Sequence, residues 1–407
     1  MREEAMVIVG AGQGGLQLAE SLRAEGWDGA IRLIGDEPHP PYHRPPLSKA
    51  LLAGETDAAR LVIRGADVFA RKAIDLVTGT RVAAIDRAAR EVVLADGARL
   101  PYRGLGLATG ARARRLALPG ADLDGILTLR TLADAEELKR RFATARSLAV
   151  VGGGFIGLEV AASARKAGIA VTLIEALPRL MARAVSETVS TWYAALHARH
   201  GVRVLCATGV DGFLGEAGRV TAVSTSAGPI EADLVVVGVG VVADDDLARS
   251  AGLDCDRGIV VDACSRTSDP AIVALGDCAA RRLADGSLRR LESVQNAVEQ
   301  AKAGAAWLVG REAPFTTTPW FWSDQYDVKL QMVGLSTGAD TQVLRGSLDG
   351  GGFSVFHWLD GRLVAVDSVD RPQDHMAARK LLDRGAGLDP AAVADPAFDL
   401  AAAARAA

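Results

Sequence analysis

The chain has 407 residues, 49% of them hydrophobic and 24% charged, with a formal net charge of -4. That length exceeds what one hydrophobic core usually serves, so two or three domains are expected; the mixed, weakly acidic composition excludes a disordered polyelectrolyte and a nucleic-acid binder driven by bulk positive charge. The longest strongly apolar stretch, 234–242, is broken by Gly238 and Gly240 and falls far short of the roughly 20 residues of a membrane helix, so a buried strand is expected there and no membrane association.

In chain order, Arg2, Glu3 and Glu4 lead straight into an apolar run. This leaves no room for the charged, apolar and cleavage regions of a secretory signal, and a cytoplasmic location is expected. Residues 5–9 predict a strand, Gly10-Ala-Gly12-Gln-Gly14-Gly15 a tight turn, 13–25 a helix, and 31–34 a second strand. An alternating stretch with a turn at Asp96-Gly97 follows, then a strand over 104–108, Thr109-Gly110 and an Arg-rich connector. The first pattern then recurs: a strand over 148–151, a turn at Gly152-Gly-Gly154-Phe-Ile-Gly157, a helix over 158–167 and a strand over 170–174. Beyond the strand expected at 234–241, residues 259–261 and 271–275 predict strands returning to the first domain. From about residue 319 the composition changes, with Trp320, Phe321 and Trp322 together and hairpin-like strands near 353–357 and 363–366. The Ala-rich end, 400–407, predicts a short fraying helix. The fold class expected is α/β, with two Rossmann-like dinucleotide-binding domains and a C-terminal α+β domain. The boundaries read as 1–112 with 244–318, then 113–243, then 319–407.

One G-x-G-x-x-G turn is weak evidence, because glycines also serve ordinary strand-helix packing. Here each turn follows a strand, opens a helix, and is followed by a strand ending in acid: Asp36 and Glu37 after the first, Glu175 after the second. Gly10 permits the tight turn, Gly12 lets backbone approach a pyrophosphate, and Gly15 lets helix and strand close up, with Gly14 between them; Gly152, Gly154 and Gly157 repeat the set. The pyrophosphate is expected on N–H groups at the helix N-terminus, and the acid on the adenosine ribose. Two modules imply two dinucleotides. A carboxylate at Glu175 repels a 2′-phosphate, which favours NADH over NADPH, although Arg179 is near in sequence.

Further segments carry a resemblance. They are 41–49 (PYHRPPLSK), 108–110 (ATG), 151–159 (VGGGFIGLE), 267–270 (TSDP) with 276–278 (GDC), 292–294 (ESV) and 320–325 (WFWSDQ). In these the chain resembles, almost end to end, the FAD-dependent ferredoxin reductases of the glutathione-reductase fold that serve oxygenases, the putidaredoxin reductase-like group. The resemblance implies FAD and NADH as cofactors. It also implies transfer of electrons to a 2Fe-2S ferredoxin, and through it to a haem-thiolate monooxygenase or a Rieske-type oxygenase. By resemblance Lys49 sits by the flavin ring, Arg130 and Val82 line the adenine side of the FAD pocket, Asp277 binds the ribityl hydroxyls and Val294 meets the ring edge.

Residue chemistry gives parallel readings. Lys49 follows a proline-rigid, non-helical segment that fixes its ammonium, suited to stabilising negative charge. Glu159 is expected on the first turn of the second module's helix, where the dipole favours it and where it is placed to hold the nicotinamide carboxamide. Phe155, where the family often has Tyr, lies beside the expected nicotinamide path, and the flat rings of Trp320 and Trp322 suit a flavin cap or a protein contact. A basic docking face for an acidic ferredoxin is expected from Arg64, Lys302, Lys329 and the Arg289-Arg290 pair. The four cysteines, Cys206, Cys255, Cys264 and Cys278, form no CxxC and no metal-ligand spacing. A disulfide reductase needs a thiol beside the flavin, yet no cysteine precedes Cys206, and Cys278 reads as a small buried residue. Two other readings share the motifs: a small-molecule reductase of the monodehydroascorbate type, and a non-catalytic flavin protein resembling apoptosis-inducing factor. The second lacks its usual targeting or long basic segments here.

Overall fold

A computed structural model describes residues 5–395 and 397–406; Arg2, Glu3, Glu4 and Ala407, which entered the expectations for the two ends, lie outside the described residues. The chain divides into two units, one of residues 1–43, 59–112 and 241–317, the other of 44–58, 113–240 and 318–407. Among the described residues no helix is long and apolar enough to cross a membrane.

The first unit is built on parallel strands in the order Ile74–Val77, Ile31–Ile34, Ala5–Val9, Arg99–Leu107, Ile272–Ala274. Ala5–Val9 is an unbroken apolar run and is buried throughout, as a parallel strand covered on both faces must be. Its alternation sorts the two faces. Met6 and Ile8 pack with Leu16, Leu18 and Leu22 of helix Gln13–Ala24 and with Ala301 and Ala305 of helix Val294–Leu308. Val7 and Val9 pack with Val92, Leu105 and Ile259 in a second cluster. The strands Val82–Asp86 and Glu91–Leu94 extend Arg99–Leu107 as an antiparallel flap.

The second unit contains a parallel sheet ordered Val202–Leu205, Ala170–Ile174, Ser147–Val151, Leu234–Val237, Ile126–Leu127. An antiparallel sheet of Val210–Glu216, Arg219–Thr225 and Gly228–Glu231 shares a core with it through Val151, Phe213, Val223 and Val235. Residues 318–407 add an antiparallel sheet ordered Trp320–Gln325, Val328–Gly334, Arg362–Val369, Phe353–Leu359, Thr341–Gly346. Helix Pro372–Asp383 covers it through Ala378 and Leu381, against Phe356, Trp358 and Val366.

Four local expectations are corrected. The apolar run expected as one strand over 234–241 is two, Leu234–Val237 and Val241–Ala243, because Gly240 takes φ +97 and turns the chain. The second module's helix spans Phe155–Lys166, three residues earlier than expected, with Gly154 as its N-cap. The proline segment expected to be non-helical forms a 3₁₀ turn, Pro45–Ser48, because proline at the first helical positions loses no needed hydrogen bond. The terminal helix Leu400–Ala406 is docked rather than frayed. Leu400 and Ala404 are buried, and Arg345 donates to the carbonyls of Val393 at 3.1 Å, Asp395 at 2.8 Å and Phe398 at 2.8 Å in the segment before it.

His375, in the covering helix, is 1% exposed, and its Nδ1 has no hydrogen-bond partner among the described residues. Burial, with Arg379 nearby, lowers its pKa from 6.5 to about 4. Between those values the unfolded chain binds a proton that the folded chain refuses, so this group removes stability as pH falls through the window. Denaturant titrations at about pH 7 and about pH 5 are expected to show His375→Gln losing about 2 kcal/mol less than the parent over that interval.

Candidate functional site

The two glycine turns divide their residues in the same way. In the first unit Gly10 has φ +106, and a Cβ there would collide with the carbonyl of Ala108; a Cβ on Gly15 would strike the Gly10 carbonyl, and one on Gly14 would press the Leu275 side chain at 2.6 Å. In the second, Gly152 has φ +110 and faces the Gly238 carbonyl, while Gly157 faces that of Gly152. Backbone atoms therefore require Gly10, Gly15, Gly152 and Gly157, whereas at Gly14 the neighbour is the end of a leucine side chain. Among the described residues a Cβ on Gly12 or Gly154 would meet nothing within 4 Å, and each of these residues caps its helix with no side-chain hydrogen bond. Both helices thus begin with an open, uncapped cradle, which fits a pyrophosphate at the positive end of a helix.

The acids differ. Asp36 is exposed, and Glu37 accepts the Tyr42 hydroxyl at 2.7 Å. Glu175 accepts the amides of Gly153 at 2.6 Å and Leu177 at 2.7 Å, so it braces the turn from the strand end rather than standing solvated. Arg179 donates to the carbonyls of Val185 at 2.8 Å and Ala182 at 2.9 Å, which commits its guanidinium to its own loop.

Elsewhere in the first unit, Val82 is buried in its strand. Asp277 sits in the 3₁₀ turn Gly276–Cys278, where its carbonyl accepts from Arg290 at 3.0 Å and the Gly276 amide is held by Gln300 at 2.8 Å. Val294 opens a helix capped by Ser293. In the second unit the backbone of Arg130 is fixed: its carbonyl accepts from Arg44 at 2.8 Å and its amide donates to Asp134 at 2.9 Å.

The strongest polar constellation lies wholly in the second unit. Lys49 Nζ stands 3.0 Å from Glu159 Oε1 and 3.3 Å from the Pro45 carbonyl. Ser323 donates to Glu159 Oε1 at 2.6 Å and Ser48 donates to Oε2 at 2.5 Å. The Glu159 side chain is only 3% exposed, and burial pushes its carboxyl above the ordinary range, while Lys49 and the two hydroxyls pull the other way. The expected dipole support is corrected: with the helix starting at Phe155, Glu159 falls beyond the first turn, and these three donors stabilise its charge instead. Ser48 and Ser323 were not singled out in the sequence reading. Both lie inside quoted motifs, one next to Lys49 and one next to the tryptophans, but serine has no spacing signature of its own.

Around this cluster Phe155 packs on Phe321 with centroids 4.8 Å apart. Trp320 is held between Trp322 at 5.5 Å and the Arg379 guanidinium at 4.8 Å. Several candidate docking cations are already paired: Arg64 with Glu20 at 3.0 Å, Lys302 with Glu299 at 2.8 Å, Arg290 with Glu292 at 2.7 Å, and Lys329 with Asp324 at 3.9 Å. Cys278 is fully buried, bonded to the Leu275 carbonyl at 3.2 Å, and burial raises its thiol pKa, which makes it a poor nucleophile.

Residues 4–301 match the family described as pyridine nucleotide-disulphide oxidoreductase, and residues 320–404 match the reductase C-terminal family. The chain is similar to rhodocoxin reductase of Rhodococcus erythropolis, 50% identical over 398 residues that cover 97% of this chain and 93% of that protein. Among solved structures it is similar to the ferredoxin reductase for the CYP199A2 system of Rhodopseudomonas palustris, with a TM-score of 0.96 and 44% identity over 98% of this chain and 100% of that one. It is also similar to the covalent putidaredoxin reductase-putidaredoxin complex, with a TM-score of 0.95 and 42% identity over 100% of this chain and 99% of that one.

The glycine geometry separates folding from binding. Gly157→Ala is expected to lower the melting temperature by several degrees, since the new methyl meets backbone. Gly154→Ala is expected to leave melting unchanged and to weaken a pyridine nucleotide at least tenfold, as read by fluorescence titration. Equal losses of stability in the two variants would contradict the open cradle.

Proposed function

This chain belongs to the pyridine nucleotide-disulphide oxidoreductase family and, within it, to the putidaredoxin reductase-like ferredoxin reductases, and on that premise we propose that it binds FAD and NADH and delivers electrons to a 2Fe-2S ferredoxin. The client of that ferredoxin is a haem-thiolate monooxygenase or a Rieske-type oxygenase, and the system works in the cytoplasm. The observation that carries the nucleotide assignment is the pair of open cradles at Gly12 and Gly154, which no atom of the described residues fills. When bound, the two cofactors would supply the hydride chemistry of the nicotinamide and the two-electron to one-electron conversion of the flavin.

The FAD assignment uses Gly10, Gly12, Gly14 and Gly15 at the pyrophosphate, Asp36 and Glu37 at the ribose, Val82 and Arg130 at the adenine side, Asp277 at the ribityl chain and Val294 at the ring edge. Residues 1–112 and 244–318 form the FAD domain, 113–243 the NADH domain and 319–407 the C-terminal domain in this reading. NADH is held by Gly152, Gly154, Gly157 and Glu175. Lys49 supplies a fixed cation where negative charge develops, and Glu159 holds both that cation and the nicotinamide carboxamide; three of its roughly four acceptor sites are already taken, which leaves one for the carboxamide. Phe155 and Trp320 exclude water with their rings. The disulfide-reductase alternative finds no support, since the sealed Cys278 is no redox partner.

Anaerobic stopped-flow of the purified yellow protein tests this. NADH is expected to bleach the flavin, and one 2Fe-2S ferredoxin from a panel to restore it in a fast, salt-sensitive phase. Restoration by quinones or ascorbyl radical alone would replace the ferredoxin with a small-molecule acceptor, and absence of bleaching would overturn the second nucleotide site. Cys278→Ala is expected to retain its flavin and its ferredoxin turnover to within about twofold, since the thiol has no part in the chemistry.

A further inference from the structure

The hydrogen bonds to Glu159 do not end at Ser323. Ser323 has one hydroxyl proton and gives it to Glu159, so it serves Gln325 as an acceptor, and Gln325 Nε2 lies 3.2 Å from its Oγ. The Gln325 amide is thereby oriented with Oε1 toward His197 Nε2, at 2.9 Å. A carbonyl oxygen only accepts, so His197 carries its proton on Nε2 and leaves Nδ1 bare. The Tyr326 hydroxyl, 3.3 Å from Nδ1, is the donor that fits. Ser323, Gln325 and His197 are all buried, whereas Tyr326 is half-buried and its ring stacks on the exposed His200, with centroids 3.7 Å apart and planes within 8°. Tyr326 also takes φ +59 in the turn between Trp320–Gln325 and Val328–Gly334, a backbone conformation costly for a side chain of its size and held here by its contacts.

Donor follows acceptor in one direction along the whole path: Tyr326 to His197, His197 to Gln325, Gln325 to Ser323, Ser323 to Glu159. Every member presents its positive end toward the buried carboxylate, and aligned hydrogen bonds polarise one another. Gln325 cannot relay a proton without becoming an imidic acid, so the chain orients and polarises rather than conducts. We infer that His197, Gln325 and Tyr326 are positioning residues that act through Ser323 to hold Glu159 as an oriented carboxylate facing Lys49. The inference rests on the reading above only in what Glu159 is held for.

The other ionisable groups around the path are Lys49 on the proline turn, Tyr193 with a buried hydroxyl that has no partner among the described residues, Asp324 and Asp370 near Tyr193, and His200 and Arg165 at the outer end. His197 itself is held neutral by burial, its pKa lowered to about 4.

The test uses the holoenzyme with 13C-labelled glutamate carboxyls, the Glu159 signal being assigned by its loss in Glu159→Gln, and with 15N-labelled histidine. The Glu159 titration midpoint is expected to rise about tenfold in proton affinity in Gln325→Leu, less in Tyr326→Phe, which keeps the stacked ring, and to stay near the parent in Ser323→Thr, which keeps the hydroxyl. The His197 nitrogen shifts are expected to show Nε2–H in the parent and a tautomer mixture in Tyr326→Phe. A midpoint moved by Ser323→Ala but by neither Gln325→Leu nor Tyr326→Phe would end the chain at Ser323 and overturn the inference; Tyr326→Phe decides if Gln325→Leu does not fold. The rate of flavin bleaching by NADH is read on the same proteins. If the midpoint moves and bleaching does not, the positioning chain stands and the nicotinamide role of Glu159 falls.

Discussion

A carboxylate that is 3% exposed must find donors or give up its charge, and at Glu159 three parts of the second unit meet that demand together. The proline turn brings Ser48 and Lys49, the glycine-started helix brings Glu159 itself, and the first strand of the C-terminal sheet brings Ser323. Removing Lys49 would leave the buried carboxylate without its counter-ion, at a cost of about 3–5 kcal/mol. The segment 44–58 also bonds to the same helix through backbone, since Ser163 donates to the Ser48 carbonyl at 2.8 Å. Segments more than a hundred residues apart in sequence are thus tied to one side chain, and the local start of the helix at Phe155 decides where that side chain falls.

The two glycine turns obey a different constraint. Their outer glycines are fixed by contacts inside the protein, carbonyl against methyl, and that part of the motif belongs to folding. At Gly12 and Gly154 no atom of the described residues makes such a demand. The distinction matters because a packing turn and a nucleotide turn look alike in sequence and differ only in whether the middle glycine faces protein or open space. Here it faces open space twice, at two uncapped helix starts.

Much of this was legible beforehand. Period and turn chemistry placed the strands at 5–9, 31–34 and 170–174 correctly, because continuous apolar runs bounded by glycine leave little choice. The start of the second helix was not legible, since Phe-Ile before Gly157 reads equally well as turn or helix until the N-cap is seen. Nor was the 3₁₀ turn at Pro45–Ser48, where proline's veto on helix interiors was extended to helix starts. At the site, Lys49 and Glu159 stood out as charges in motifs, but their pairing and the serines between them depend on contacts over long sequence separations that no local pattern records. His197 carried no motif at all, and Gln325 stood only as the last residue of the 320–325 segment, with nothing to mark it apart from its neighbours.

The choice between nicotinamide cofactors also turns on where side chains are spent. By sequence, Glu175 and Arg179 stand four residues apart with opposite implications for a 2′-phosphate. In the fold Arg179 bonds to the carbonyls of Ala182, Val185 and Ser186, the last at 3.4 Å, and stabilises the loop after strand Ala170–Ile174 in which it lies. Glu175 is anchored at the strand end through both oxygens to backbone amides of the turn and the loop. A phosphate arriving there would meet a fixed carboxylate without a guanidinium to offset it. A ribose hydroxyl would meet an acceptor with lone pairs to spare, and this contrast is the electrostatic ground of the proposed preference for NADH over NADPH.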